Sequence, residues 1–192
     1  ASGPSPRRVV NTVCDFQRYH EFEAPATEGM YPAGWGAYED ARRAVADFVQ
    51  VPPDEIALTQ STAEGIIMIA GSIDWSADDV VVRTDVEHPA GTLPWSRLRD
   101  THGIDVEVVT GEQGVFDPED FKGVVDDARL VCLSSTSWNF GTHLPILEIT
   151  DIAHDAGAMV LVDAVQSFGQ LPVHPKEWGV DFVAASGQKW PL

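Results

Sequence analysis

The sequence predicts an α/β fold, a mostly parallel sheet with flanking helices, and three observations carry that expectation. Short runs rich in β-branched residues recur along the chain, at residues 56–59, 80–84, 106–110, 130–134, 160–162 and 182–185. Between them lie segments of helical length, at residues 62–72, 91–101, 118–125 and 145–156. Strands separated in this way form crossover units, which give parallel neighbours and cover the sheet on both faces. The third observation is size: 192 residues can bury one substantial core, or part of a larger one.

Taken in order, the first fifty residues stand apart, being Pro-rich, aromatic and irregular around 25–36. A helix follows over 36–49, where Ala37, Ala41, Ala44, Val45, Phe48 and Val49 recur at helical spacing. Pro52-Pro53 ends it, because proline lacks the amide hydrogen and its ring clashes with the preceding turn. The strand and helix segments then alternate to the end of the chain. No repeat, low-complexity tract or interdomain linker interrupts them. The division expected is an N-terminal segment and first helix over 1–50, packing on a partial large domain over 51–192.

Asp and Glu number 30 against 12 Lys and Arg, a formal charge of -18. That balance repels nucleic acid and anionic membranes, so neither is expected as a partner. The acids are dispersed, as in Asp78-Asp79, Glu119-Asp120 and Asp126-Asp127, a pattern that suits high-salt cytoplasm, where screening removes the repulsion. A halophilic source is the expectation from this feature. Cys14 and Cys132 have no CxxC or metal-ligand spacing, and Cys132 in Leu130-Val131-Cys132-Leu133 reads as a small buried hydrophobe. No signal peptide or bilayer-length apolar run is evident, so a cytoplasmic location is expected. The histidines form no HxxxH or HExxH pair, and no metal site is expected.

Four motifs fall in loops after apolar runs. Thr59-Gln60-Ser61-Thr62-Ala63-Glu64-Gly65 opens a helix, whose free N–H groups and positive dipole end suit a phosphate; a plain capping box explains the same residues. In Glu87-His88-Pro89, His88 could stack on an aromatic cofactor or be an ordinary loop histidine. Asp163 ends the run Val160-Leu161-Val162, where ligands of α/β sheets gather and where a buried acid needs a partner; capping of the next segment is the alternative. Gln166, three residues on, can add a neutral hydrogen bond. Lys189, in Ser186-Gly187-Gln188-Lys189-Trp190, follows the run at 182–185 and could otherwise be a surface lysine. An acid and an amine facing one crevice are what pyridoxal 5′-phosphate requires: a lysine for its Schiff base and a carboxylate to hold its ring nitrogen protonated.

The joint order Ser-Thr-Ala-Glu-Gly, Glu-His, Val-Asp-Ala-Val-Gln-Ser and Ser-Gly-Gln-Lys-Trp resembles the class V aminotransferases, which are fold-type I pyridoxal phosphate enzymes. The family includes cysteine desulfurases, selenocysteine lyases and isopenicillin-N-epimerase-like proteins. The resemblance implies the type I pyridoxal phosphate-dependent transferase fold, here as part of its large domain. It implies that Lys189 carries the cofactor and shuttles the proton at the substrate α-carbon. Asp163 would pair with the pyridinium nitrogen, Gln166 would bond the phenolic oxygen and His88 would stack on the ring. Thr62, the backbone at Ala63, and Ser186 would hold the phosphate, with Gln188 as a further donor.

Two departures bear on the branch. Gln188 stands where many members have histidine, and Trp138 in Ser137-Trp138-Asn139-Phe140-Gly141 stands where desulfurases carry asparagine, so that role is not transferred to Asn139. The first expectation is therefore an aminotransferase-like enzyme, a homodimer acting on an amino acid. A cysteine desulfurase or selenocysteine lyase comes second and would need a nucleophilic cysteine downstream of Leu192. A noncatalytic α/β binding domain is the reading from another class. The chain stops three residues after Lys189, whereas family chains run far beyond that lysine. A fragment lacking the C-terminal domain, inactive by itself, is what that implies.

Overall fold

The computed structural model describes residues 3–27 and 29–191, and these fall into two compact units. The larger, Thr59–Ser186, holds the sheet. The smaller comprises Ala1–Leu58 with Gly187–Leu192.

In the larger unit five strands, β1 (Val80–Thr84), β2 (Asp105–Val109), β3 (Ala128–Ser134), β4 (Met159–Asp163) and β5 (Phe182–Ala184), run parallel in the order β2-β1-β3-β4-β5. The helices of this unit are α3 (Thr62–Ser72), α4 (Leu93–His102), α5 (Ile146–Asp155) and the short α6 (Pro175–Trp178). β2 lies on one side of β1 and β3 on the other. The chain therefore reverses its direction of sheet growth between β1 and β3, and the crevice beyond their carboxyl ends is where such sheets bind ligands.

Burial follows from the pleat. On β3, Leu130 and Cys132 face one side with Val81, Leu161 and Ala184, where Ile66 and Ala70 of α3 and Trp95 of α4 complete a cluster. Val131 and Leu133 therefore point to the opposite face, and both are fully buried. There α5 packs against β4 and turns Ile149 and Ala153 inward. Full burial of one such aliphatic side chain contributes about 1.5–3 kcal/mol. Both faces of the central strands are thus covered, which is why β3 and β4 read as near-continuous apolar runs.

Several expectations need correction. Ile56 has extended dihedrals, but residues 56–59 form no strand among the described residues; an extended run becomes a strand only where a neighbour completes its ladder. The helix expected at 118–125 is a 3-10 turn, Pro118–Phe121, because Lys122 is already extended and Gly123 has φ +78°. The helix expected at 91–101 starts as a separate 3-10 turn, Pro89–Gly91; α4 begins at Leu93 with Pro94 in its first turn.

In the smaller unit, α1 (Arg7–Arg18) runs into a π-helical turn, Tyr19–Glu23, and α2 spans Met30–Val49. The irregular stretch expected at 25–36 is therefore helical from residue 30; its Glu28 lies outside the described residues, as do Ala1, Ser2 and Leu192. Pro32 is tolerated because the first helical turn has no internal acceptor for its missing hydrogen. Arg42 pairs with Glu39 at 2.9 Å and donates to the carbonyl of Pro53, tying α2 to the turn that follows it. Among the described residues no helix is long and apolar enough to cross a membrane.

Candidate active site at the carboxyl edge of the sheet

Within the larger unit the sequence-singled residues gather at the carboxyl ends of the strands and at the start of α3. Asp163 is the last residue of β4, only 5% exposed, in register with Ser134 on β3 and Ala184 on β5. Its Oδ1 accepts from the backbone N–H of Val165 at 2.9 Å. Gln166 follows, half-buried. Next to it the Ser167 hydroxyl lies 2.6 Å from that of Ser135 and 2.8 Å from that of Thr136. This hydroxyl chain fixes the loop after β4 to the loop after β3.

Glu87, in the motif Glu87-His88-Pro89, is the second buried acid of this edge. Thr84 at the end of β1 donates its hydroxyl to Oε1 at 2.5 Å. Ser134 at the end of β3 donates its N–H to the same oxygen at 2.9 Å, and its hydroxyl lies 2.6 Å from Oε2. One carboxyl group thus joins the two strands that flank the switch in sheet growth. Burial raises its pKa to about 7, against the lowering effect of the Ser134 and Thr84 bonds and with a further upward push from the charge of Asp163. The signal was present in the sequence: Glu87, like Asp163, is an acid just past an apolar strand, where burial needs partners.

His88 is exposed, and its Nδ1 accepts from the N–H of Ala90 at 3.2 Å, which leaves the proton on Nε2. Its ring stands 5.6 Å from that of Trp138 and nearly perpendicular, at 87°.

At α3, both readings of the turn have their counterpart. Ser61 caps the helix, accepting from Glu64 N at 3.1 Å, and the Glu64 carboxylate accepts from Gln60 N at 2.5 Å. That leaves the N–H groups of Thr62 and Ala63, first-turn donors that a helix cannot satisfy internally. The Thr62 hydroxyl donates to Ala185 O at 3.1 Å, which brings the helix start beside Ser186. Ser186 is 8% exposed, and its buried hydroxyl has no hydrogen-bond partner among the described residues. A buried hydroxyl of this kind costs about 1–3 kcal/mol unless something accepts from or donates to it. An anion at the positive end of α3 meets that need, so these residues fit the phosphate of the cofactor that the sequence resemblance implies.

Gln188 and Lys189 belong to the smaller unit, where Gln188 is exposed and Lys189 half-buried. The Lys189 carbonyl accepts from Gly3 N at 3.4 Å. Cys132 is fully buried with its thiol pKa raised well above 9.0, by desolvation first and then by the charges of Glu87 and Asp163. It is no nucleophile. Among the described residues no group of three or more His, Cys, Asp or Glu side chains could hold a metal ion.

The family model for class-V aminotransferases matches residues 1–191. The chain belongs to the class-V aminotransferase family. It is 38% identical over 98% of its length to a probable cysteine desulfurase of Methanothermobacter thermautotrophicus, and covers 48% of that protein. Among solved structures it resembles the apo cysteine desulfurase of Thermococcus onnurineus, with a TM-score of 0.86, 32% identity, and coverage of 99% of this chain and 48% of that one. It also resembles a cystine C–S lyase in complex with its reaction product, cysteine persulfide, with a TM-score of 0.90, 25% identity, and coverage of 96% and 51%. The α/β fold with a parallel sheet is shared with these neighbours. This family member spans about half the length of the curated relatives it matches.

Proposed function

We propose that the protein carrying this chain is a pyridoxal phosphate-dependent enzyme acting on an amino acid, a homodimer working in the cytoplasm. The observation that carries the reading is the buried, unpartnered hydroxyl of Ser186 beside the N-terminus of α3. It supports a phosphate held by that hydroxyl and by the N–H groups of Thr62 and Ala63; the Thr62 hydroxyl, once turned from Ala185 O, and Gln188 would be further donors. Asp163, buried at the end of β4, would hold the proton on the ring nitrogen. His88 would stack on the ring and Gln166 would donate to its phenolic oxygen. When bound, the cofactor supplies a sink for the electron pair left as a bond at the substrate α-carbon breaks. Lys189 would be the amine that attaches the cofactor and then moves the proton at that carbon.

Where Lys189 returns the proton separates transamination from racemisation, and an aminotransferase-like reaction is the first reading. Lys189→Ala should abolish the visible absorbance band of the protein loaded with cofactor. Persistence of that band, or borohydride fixation of the cofactor on another residue, would refute the assignment.

A second reading, cysteine desulfurase, is favoured by the names of the relatives at 30–38% identity. That reaction needs a nucleophilic thiol, for which buried Cys132 is unsuited. Sulfide released from cysteine in the presence of a reductant would favour this reading over transamination, and a keto acid formed without sulfide would count against it.

A further inference from the structure

Trp138 is a large apolar side chain left 51% exposed at the carboxyl edge of the sheet, on a loop that is firmly built. Ser137 N donates to Thr142 O at 2.9 Å, and Gly141 N donates to Ser137 O at 3.0 Å. The Ser137 and Thr142 hydroxyls lie 2.9 Å apart, and Thr142 Oγ1 also donates to Gly114 O at 2.6 Å, which ties the loop to its neighbour. Phe140 lies against Gly114, where an added Cβ would come within 2.6 Å of its ring. Asn139 Oδ1 accepts from Phe140 N at 3.1 Å, so the asparagine is occupied within the loop. The loop therefore presents Trp138 from a fixed base.

What Trp138 meets is His88. Among the described residues the His88 ring is otherwise held by one hydrogen bond, from Ala90 N to Nδ1, which selects the tautomer but leaves the ring free to tilt about that bond. A perpendicular partner 5.6 Å away removes that freedom, and ring pairs in this geometry attract beyond their buried area.

We propose that Trp138 is a positioning residue that sets the plane of the His88 ring and so acts on the bound cofactor through His88. The inference rests on the reading that His88 stacks on pyridoxal phosphate, and it gives a role to an indole left half-exposed at this edge. Trp138 makes the exposed histidine a rigid platform before any cofactor arrives, which lessens the ordering lost on binding.

The test is a double-mutant cycle in the full-length protein, reading the dissociation constant of pyridoxal phosphate. Trp138→Ala should weaken binding about 2- to 12-fold, the range expected for one aromatic pair. In a His88→Ala background it should change nothing further, and Trp138→Phe, which keeps a ring, should recover most of the loss. Equal effects of Trp138→Ala in both backgrounds would overturn the proposal, because a merely structural role does not depend on His88. A second readout needs no cofactor: the His88 ring-proton signals in the NMR spectrum of the apoprotein should move on Trp138→Ala as the indole ring current is lost. Unmoved signals would also overturn it. A wild-type protein that takes up no pyridoxal phosphate would overturn the underlying reading, whereas additivity overturns only the role of Trp138.

Discussion

Replacing Glu87 by glutamine should stabilise the protein at neutral and alkaline pH, although it removes a buried group with three hydrogen-bond contacts. The carboxyl titrates near 7 in the folded protein, against an ordinary value of 4.5. Between those values the folded state binds the proton and the unfolded state does not. Stability therefore falls as pH rises through the window. Below it both states are protonated and nothing is lost; above it the whole difference is lost. A shift from 4.5 to about 7 corresponds to about 3 kcal/mol, of which about 2.5 kcal/mol disappears between pH 5 and pH 8.

Glutamine reproduces the neutral acid. Its carbonyl accepts from Ser134 N and the Thr84 hydroxyl as Oε1 does, and its amide can donate to the Ser134 hydroxyl beside Oε2. Urea unfolding of both proteins at pH 5 and pH 8 is the assay. Glu87→Gln should be close to wild type at pH 5 and more stable by about 2–3 kcal/mol at pH 8. Asp163 and every other titrating group is common to both proteins, so the difference isolates Glu87. A variant that is less stable than wild type at pH 8, or whose difference is the same at both pH values, would refute the claim that burial holds this carboxyl neutral.

Ser186→Ala should leave the apoprotein as stable as wild type or about 1–3 kcal/mol more so, because the hydroxyl is buried without a partner, while weakening pyridoxal phosphate binding roughly tenfold; a loss of stability by urea unfolding without a change in affinity would contradict the phosphate assignment. In the native protein a thiol reagent should label Cys14, which is exposed, and spare Cys132 until denaturant is added. Labelling of Cys132 before denaturant is added would show that it is not sealed in the core.

All five strands of the sheet were legible, the largely exposed edge strand β2 as well as the buried β3 and β4. β1, β3 and β4 appear in the sequence as mainly β-branched and aliphatic runs, interrupted by Arg83 in β1 and Arg129 in β3, and their limits differ from expectation by two residues at most. Legibility failed where the deciding interaction is remote. Residues 56–59 have the composition of a strand, yet composition cannot supply a neighbour. The turn at Pro118 has helical spacing after it, and the left-handed Gly123 ends it all the same.

The site divides along the same line. Asp163 could be picked out singly, because it stands at the end of an apolar run, where a polar group needs a reason, whereas the role of Ser186 came only with the family resemblance. The bond from Glu87 to Ser134 spans 47 residues and closes only when β3 returns to lie beside β1. The Trp138 contact with His88 likewise joins two loops that become neighbours through the same strand pairing. A sequence motif names the residue at a strand end, but the order of strands decides what that residue meets. In this fold the order puts β1 next to β3, and both the Ser134 bonds of Glu87 and the ring partner of His88 follow from that one adjacency. A change that loosens the β1–β3 pairing should therefore disturb Glu87 and His88 together, while the tie between α3 and Ala185, which depends on neither strand, should persist.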